Sequence, residues 1–185
     1  MMNVTVRGVL LAAGAGRRMG RPKALVRDDD GTSWLPRAIA SLMPCDGVTV
    51  VLGAGAEEAA RLLLPSVDLV IAHDWADGMG ASFRAGLSAL GPDVDAALVT
   101  LVDLPDVTAE VVARVLAAAD GPGTLARASY DGRPGHPVLL GRDHWPAALE
   151  VAVGDRGARD LLTSESVTLV ECGDLATGED VDSLG

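Results

Sequence analysis

Apolar residues in this chain come in short runs broken by glycine, proline and aspartate, and the spacing inside the runs alternates between two periods. Residues 4–11 are β-branched early and continuously apolar late, the pattern of a strand buried on both faces. Residues 47–52, 67–71, 95–102, 123–128 and 167–172 read as strands in the same way. Residues 137–140 read as a returning strand after the turn Asp131-Gly132-Arg133-Pro134-Gly135. Between the strands the spacing becomes helical. Ser33 is expected to cap a helix through Leu42, with Trp34, Leu35, Ala38, Ile39 and Leu42 as its apolar residues. Further helices are expected over 57–64, 82–90 and 108–119, with short ones at 144–149 and 158–162. Strands alternating with helices predict one α/β domain over residues 1–185, a Rossmann-like three-layer α/β/α arrangement with a mostly parallel mixed sheet. In such folds ligands gather at the carboxyl ends of strands. The loops at Gly14 and at Asp103 both follow strands, so both are expected on that edge.

Composition narrows what the core and the ligand can be. Hydrophobic residues make up 49% of the chain and aromatic ones 3%, so the core must be aliphatic. The formal charge of −11 argues against a nucleic-acid surface or an anionic membrane. Yet Arg17, Arg18, Arg21, Lys23 and Arg27 crowd into one short stretch, which suggests a small anionic ligand held locally. Lys23 is the only lysine beside fourteen arginines. A lysine is a compact point charge and an arginine a planar fork, so this ammonium reads as chosen for its chemistry. Cys45 and Cys172 match no metal spacing and read as buried thiols. No apolar run has the length of a membrane span, and the first residues do not read as a secretory signal, so a cytoplasmic address is expected. Residues 173–185 are expected to be an acidic, partly ordered tail.

The loop after the first strand resembles two common phosphate motifs and departs from both. A dinucleotide loop needs G-x-G-x-x-G, and Met19 stands at its third glycine. A Walker A loop needs glycine before its lysine, and here Pro22 precedes Lys23. The stretch Leu11-Ala12-Ala13-Gly14-x-Gly16-x-Arg18-Met19-Gly20-x-Pro22-Lys23 is instead similar to a nucleotidyltransferase signature. The chain as a whole resembles MobA-like NTP transferases of the molybdenum-cofactor type. Gly78-Met79 with Ser82, Arg84 and Gly86, the segment Leu101-Val102-Asp103-Leu104-Pro105, Gly135-His136-Pro137, and Gly154-Asp155-x-Gly157-Ala158-Arg159 are all similar to segments of that family.

The resemblance implies a nucleotide-diphospho-sugar transferase type of fold and Mg²⁺-dependent transfer of a nucleotide from an NTP to a phosphorylated acceptor. It implies that Lys23, Arg18 and Asp103 are catalytic, and that Leu11, Ala12, Ala13, Gly14, Ala15, Gly16, Gly78 and Ser82 bind the nucleotide. Ser82 reads equally as the N-cap of its helix. His136 alone reads as a turn histidine, and Asp155 with Arg159 as a surface pair. The resemblance raises all three to contacts with the second substrate. His73 and His144 read as structural. Near the end the family often carries D-x-D-T-P-E-D, whereas this chain has Asp174-Leu175-Ala176-Thr177-Gly178-Glu179-Asp180. Either Asp174 stands in as the second metal carboxylate beside Asp103, or Asp103 holds Mg²⁺ largely with water and phosphate oxygens.

Ala12-Ala13 before Gly14 is similar to the cytidylyltransferase branch, which favours CTP over GTP. The acceptor implied is molybdopterin or the molybdenum cofactor, and a molybdoenzyme or cofactor chaperone is the implied protein partner. A sugar-phosphate or other alcohol-phosphate nucleotidyltransferase and a non-catalytic nucleotide-binding or cofactor-delivery protein are the alternatives.

Overall fold

The apolar runs assemble into one sheet. A computed structural model describes residues 3–156, 158–164 and 166–183, so Gly157 of the family segment and Leu184 and Gly185 of the tail lie outside the described residues. The strands are β1 (Val6–Ala12), β2 (Val48–Leu52), β3 (Asp68–Ile71), β4 (Ala96–Leu101), β5 (Leu125–Tyr130), β6 (Arg133–Gly141) and β7 (Thr168–Glu171). The helices are α1 (Trp34–Ser41), α2 (Ala56–Ala60), α3 (Met79–Ser88), α4 (Ala109–Leu116), α5 (Trp145–Val151) and α6 (Arg159–Ser164). The sheet order is β3-β2-β1-β4-β6-β5-β7. Only β6 runs against its neighbours, β4 and β5, so the sheet is mixed but mostly parallel.

Both faces are covered, which is why β1, β2 and β4 are almost continuously buried. Trp34 and Leu35 of α1 and Val111, Val112 and Val115 of α4 pack on one face. Phe83 and Leu87 of α3, Trp145 and Ala148 of α5, and Leu161 of α6 pack on the other. The buried indoles each find an acceptor: Trp34 Nε1 donates to Asp28 Oδ1 at 2.7 Å and Trp145 Nε1 to the Leu140 carbonyl at 2.9 Å. Helix α3 lies close on the sheet at Gly86, where a methyl group would come within 2.9 Å of Val9 Cγ1 and 3.0 Å of Val51 Cγ2.

The connections place the site. From β1 the chain crosses to β2 on one side, and from β3 it returns to β4 on the other. The carboxyl ends of β1 and β4 therefore lie side by side with their following loops diverging, a topological switch point. Leu11 pairs in register with Leu101, so Gly14 and Asp103 emerge at the same level.

Four helices differ from the sequence expectation. The helix expected over 57–64 stops after Ala60, and Leu62 and Leu63 turn back onto the core instead. Helix α3 begins at Met79 rather than at Ser82, so Ser82 is a buried residue of the first turn and not an N-cap. Its cap is Gly78, held at φ 112°. Ser33 and Thr108 occupy N-cap positions without a side-chain capping bond. Cys172 is buried as expected, whereas Cys45 is only half-buried.

The acidic tail crosses back over the sheet from β7 to the carboxyl end of β4. Arg114 of α4 pairs with Asp174 at 2.5 Å. Asp106 accepts from Thr177 N at 2.6 Å, Thr177 Oγ1 at 2.7 Å and Gly178 N at 3.2 Å. Gly178, at φ 69°, sits so close to the Tyr130 ring that a methyl group would lie 2.1 Å from its Cε2 atom. Val181 N then donates to the Asp103 carbonyl at 3.0 Å. Burial pushes the Asp106 carboxyl up, but the bonds from Thr177 and Gly178 outweigh it and hold its pKa below the ordinary value.

Two outcomes follow from this packing. Gly86→Val should cost about 1–3 kcal/mol by overpacking and lower the unfolding temperature by several degrees, read by thermal circular dichroism. An unchanged midpoint would show that α3 is not pressed onto β1 and β2. Asp106→Ala should release residues 177–182, seen as faster amide exchange there while the sheet stays protected. Because the folded pKa of Asp106 is depressed, its hold on the tail is present above the unfolded value near 3.9 and is lost as pH falls through the lower folded value. Exchange in the tail should therefore stay slow through neutral pH and accelerate only in strong acid.

Candidate active site

Two clefts open at the carboxyl edge and meet. The first, of about 400 Å³, is lined by Leu11 to Arg17, Lys23, Trp75, Gly78, Met79, Ser82, Asp103 and Asp155, among others. The second, of about 390 Å³, is lined by His136, Arg127, Arg159, Asp155 and Asp180, with Phe83, Val138 and Leu140 as an apolar floor. Leu11, Met79, Leu101 and Asp155 belong to both.

The glycine loop forms the back wall of the first cleft. Gly16 adopts φ 61°, and a methyl group there would lie 1.9 Å from the Arg21 carbonyl oxygen. The loop therefore closes tightly on itself, with Met19 N donating to the Gly16 carbonyl at 2.9 Å and Lys23 N to the Gly14 carbonyl at 3.0 Å. No helix opens directly behind it; a short 3-10 turn, Lys23–Leu25, follows. Met19 is buried in the core where a dinucleotide loop would need its third glycine. The N–H groups of Gly14, Ala15 and Gly16 have no protein acceptor among the described residues. They form a concave set of donors suited to phosphate oxygens.

Lys23 arches over this loop. Its methylenes lie against Gly14, 3.4 Å from where a methyl group there would stand. Its Nζ pairs with Asp103 Oδ2 at 2.5 Å and lies 3.8 Å from Asp182 Oδ1. Asp103 is buried, and its other oxygen, Oδ1, has no hydrogen-bond partner. Asp103, Asp180 and Asp182 each offer an oxygen within 4.8 Å of the others. A buried, unpartnered carboxylate oxygen beside two further carboxylates is a donor set that fits a hard divalent cation.

This arrangement corrects two expectations. Asp174 does not approach Asp103. Its carboxylate is bound by Arg114 through both oxygens, and this pairing lowers its pKa. The D-x-D pair that comes to Asp103 is Asp180-Val181-Asp182, six residues further on. Its signal was the alternation itself: Val181 bonds to the Asp103 backbone, and its two neighbours reach the cluster. Arg18 does not line the first cleft; it is largely exposed and lies 3.9 Å from Asp182, while Arg17 lines the cleft in its place.

Leu11, Ala12, Ala13, Gly14, Ala15, Gly16, Gly78 and Ser82 all line the first cleft. Gly78 and Gly80 press against the backbone of residues 152–154, so small residues there are a packing requirement as well. His136, Asp155 and Arg159 line the second cleft, with no ion pair between Asp155 and Arg159 among the described residues. Burial, with the Arg127 guanidinium beside it, pushes the His136 pKa down to about 4, so its ring is neutral at pH 7. His144 contacts the Gly123 carbonyl at 3.0 Å, away from both clefts. Trp75 and Arg127 line the clefts as well, and no motif in the sequence marks either of them. Trp75 packs on Gly53, where a methyl group would lie 2.5 Å from its Cβ and 2.9 Å from that of Ala13, and the pair walls the first cleft.

Comparison with known proteins agrees with this geometry. Residues 8–169 match the MobA-like NTP transferase domain. The chain is 40% identical over 191 residues to a nicotine blue oxidoreductase of Paenarthrobacter nicotinovorans, covering 97% of this chain and 93% of that protein. It is 34% identical over 147 residues to a molybdenum cofactor guanylyltransferase of Rhodobacter capsulatus, covering 78% of this chain and 67% of that one. Among solved structures, the manganese complex of Rv0371C from Mycobacterium tuberculosis H37Rv superposes with a TM-score of 0.77 at 26% identity, over 96% of this chain and 94% of that one. The glycine loop with its lysine, the facing aspartate and the sheet that sets them together are thus those of a nucleotidyltransferase, and the chain belongs to the MobA-like NTP transferase family.

Proposed function

We propose that this protein transfers CMP from CTP to a phosphorylated acceptor of the molybdopterin type, releases pyrophosphate, and uses Mg²⁺. The observation that carries the reading is that one acidic cluster serves both clefts: Asp103 lines the first and Asp180 the second. A nucleotide in the first and an acceptor in the second would meet there.

The chain's own residues divide the work. The free amides of Gly14, Ala15 and Gly16 cradle phosphate oxygens. Lys23, already laid along Gly14, brings a point charge to the α-phosphate or to the leaving pyrophosphate. A divalent ion held by Asp103, Asp180 and Asp182 would supply further neutralisation of phosphate charge; the manganese complex of the mycobacterial neighbour supports a divalent metal in this fold. The acceptor phosphate attacks the α-phosphorus in line, the bond to the β-phosphate oxygen breaks, and pyrophosphate leaves with the electron pair. Positioning and charge stabilisation suffice, and no protein nucleophile takes part.

The preference for CTP rests on the wall of the first cleft. The buried methyls of Ala12 and Ala13 and the Trp75 side chain narrow it, which suits a pyrimidine better than a purine. The guanylyltransferase relative makes GTP the competing donor.

The oxidoreductase relative supports a second reading, a redox reaction, which with a dinucleotide cofactor would need that cofactor's loop. The loop argues against it, since no helix N-terminus stands behind Gly16 to hold a pyrophosphate bridge and Met19 fills the close-packing position.

Incubation with CTP or GTP, Mg²⁺ and molybdopterin should release pyrophosphate, faster with CTP. Oxidation of NADPH without pyrophosphate release would establish the second reading. Nucleotide binding with neither activity would leave a binding or delivery protein. Lys23→Ala and Asp103→Asn should each lower the transfer rate on the order of 10²–10³-fold, as expected for loss of one preorganised charge. Asp182→Asn should raise the metal concentration needed for half-maximal rate, and Asp174→Asn should leave it unchanged. The reverse order would return Asp174 to the metal site.

A further inference from the structure

Strand β5 carries a charge where the fold calls for an apolar residue. Its side chains alternate between faces: Ala126 and Ala128 join the α1/α4 side, and Leu125 joins the α3/α5/α6 side. Arg127 shares the face of Leu125. Its partner on β6, Val138, lies with His136 and Leu140 on that same face, and all of them line the second cleft. A guanidinium at a core-facing register is costly unless it is paired or solvated. Arg127 donates its Nε to the Gly135 carbonyl at 3.1 Å, which fixes its direction. No carboxylate pairs with it among the described residues, and none pairs with Arg159. Burial and the nearby Arg159 both work against its charge, and its own charge works against protonation of His136. The cleft therefore holds two like charges and a neutral imidazole at one end, with Asp155 and Asp180 as its acidic groups.

The Arg127 backbone also stands apart from that of Asp103. Arg127 is level with Val138, and Val138 with Val99, two strand spacings away. Asp103 lies four residues beyond Val99. At about 3.3 Å per residue along a strand and about 4.8 Å between strands, the backbones of Arg127 and Asp103 are on the order of 15 Å apart.

We propose that Arg127 and Arg159 form an anion subsite at the far end of the second cleft, which takes a negatively charged group of the acceptor other than the phosphate being coupled. The proposal rests on the acceptor reading of this cleft. It restricts the acceptor to molecules with two anionic groups, one at each end, and assigns to Arg127 a role in specificity. Two guanidiniums converging on one anion remove each other's repulsion and satisfy their free N–H groups. His136, uncharged, adds a hydrogen bond without a further proton.

Inorganic phosphate is the probe, titrated into the full chain by calorimetry or by ³¹P line broadening. Two classes of site are expected, one at the glycine loop and one at the arginine pair. Arg127→Gln should weaken the second class about tenfold or more and spare the first. Lys23→Ala should do the opposite. Arg159→Gln, on an exposed helix start, should weaken the second class without touching the fold, and Arg127→Lys should retain part of it. Both classes should weaken with added salt. A single class, or a second class unaffected by both Arg127→Gln and Arg159→Gln, would overturn the subsite. Because phosphate binding requires no turnover, that outcome is separate from absence of pyrophosphate release, which would instead count against the transfer reaction.

Discussion

The pairing of Lys23 with Asp103 is the constraint on which the site depends. It joins the loop after β1 to the loop after β4, two strands that are neighbours in space but far apart in sequence. Only the in-register parallel pairing of Leu11 with Leu101 brings the two groups level. The pair is also unequal in burial: Asp103 is enclosed and Lys23 remains a quarter exposed. A buried carboxylate needs a cation, and removing the partner of a buried charge costs far more than removing a surface one. The ammonium can answer to phosphates in the open cleft only where another cation satisfies Asp103. The unpartnered Oδ1 of Asp103 and the carboxylates of Asp180 and Asp182 are placed for such an ion. Ligand binding and metal binding, as proposed for this site, would be parts of one electrostatic balance.

The tail answers the same constraint from the other side. An exposed acidic segment in a protein of net charge −11 has no electrostatic reason to approach an aspartate. It does so because backbone and side-chain bonds to Asp106, the Arg114–Asp174 pair and the contact of Gly178 with Tyr130 hold it there. Gly178 replaces the proline of the related segment for a physical reason: its backbone is left-handed and lies against an aromatic ring, where a side chain has no room. Like charges gathered by such contacts raise the local negative potential, and that favours a cation at the junction of the two clefts.

Much of this was legible in the chain. Periodicity located the strands most clearly at β1, β2 and β4, which are buried on both faces and apolar almost without interruption, whereas β6 begins at Arg133, inside the expected turn 131–135. The glycine loop was legible because tight turns and close backbone approach require glycine at fixed positions, and Asp103 because strand ends are where such folds place ligands. What was not legible depended on tertiary context. The start of α3 was missed because its cap is Gly78 and not a hydroxyl residue. Spacing to a related segment offers Asp174 as a metal ligand because it cannot show that Arg114, sixty residues away, holds it. Arg127 carries no signal in the sequence, because a single arginine in a strand is ordinary until its register is known.

That last residue bears on how the family divides. One scaffold carries relatives named as a guanylyltransferase and as an oxidoreductase, so fold and overall identity do not decide the reaction. The decision lies in the site. Transfer of a nucleotide needs a cation-binding edge next to a phosphate cradle and an acceptor held by its own charge. Asp103, Asp180 and Asp182 are placed to offer the first, and the amides of Gly14 to Gly16 the second. The place of Arg127 at a core register fits the proposed transfer, whose second substrate would itself be an anion.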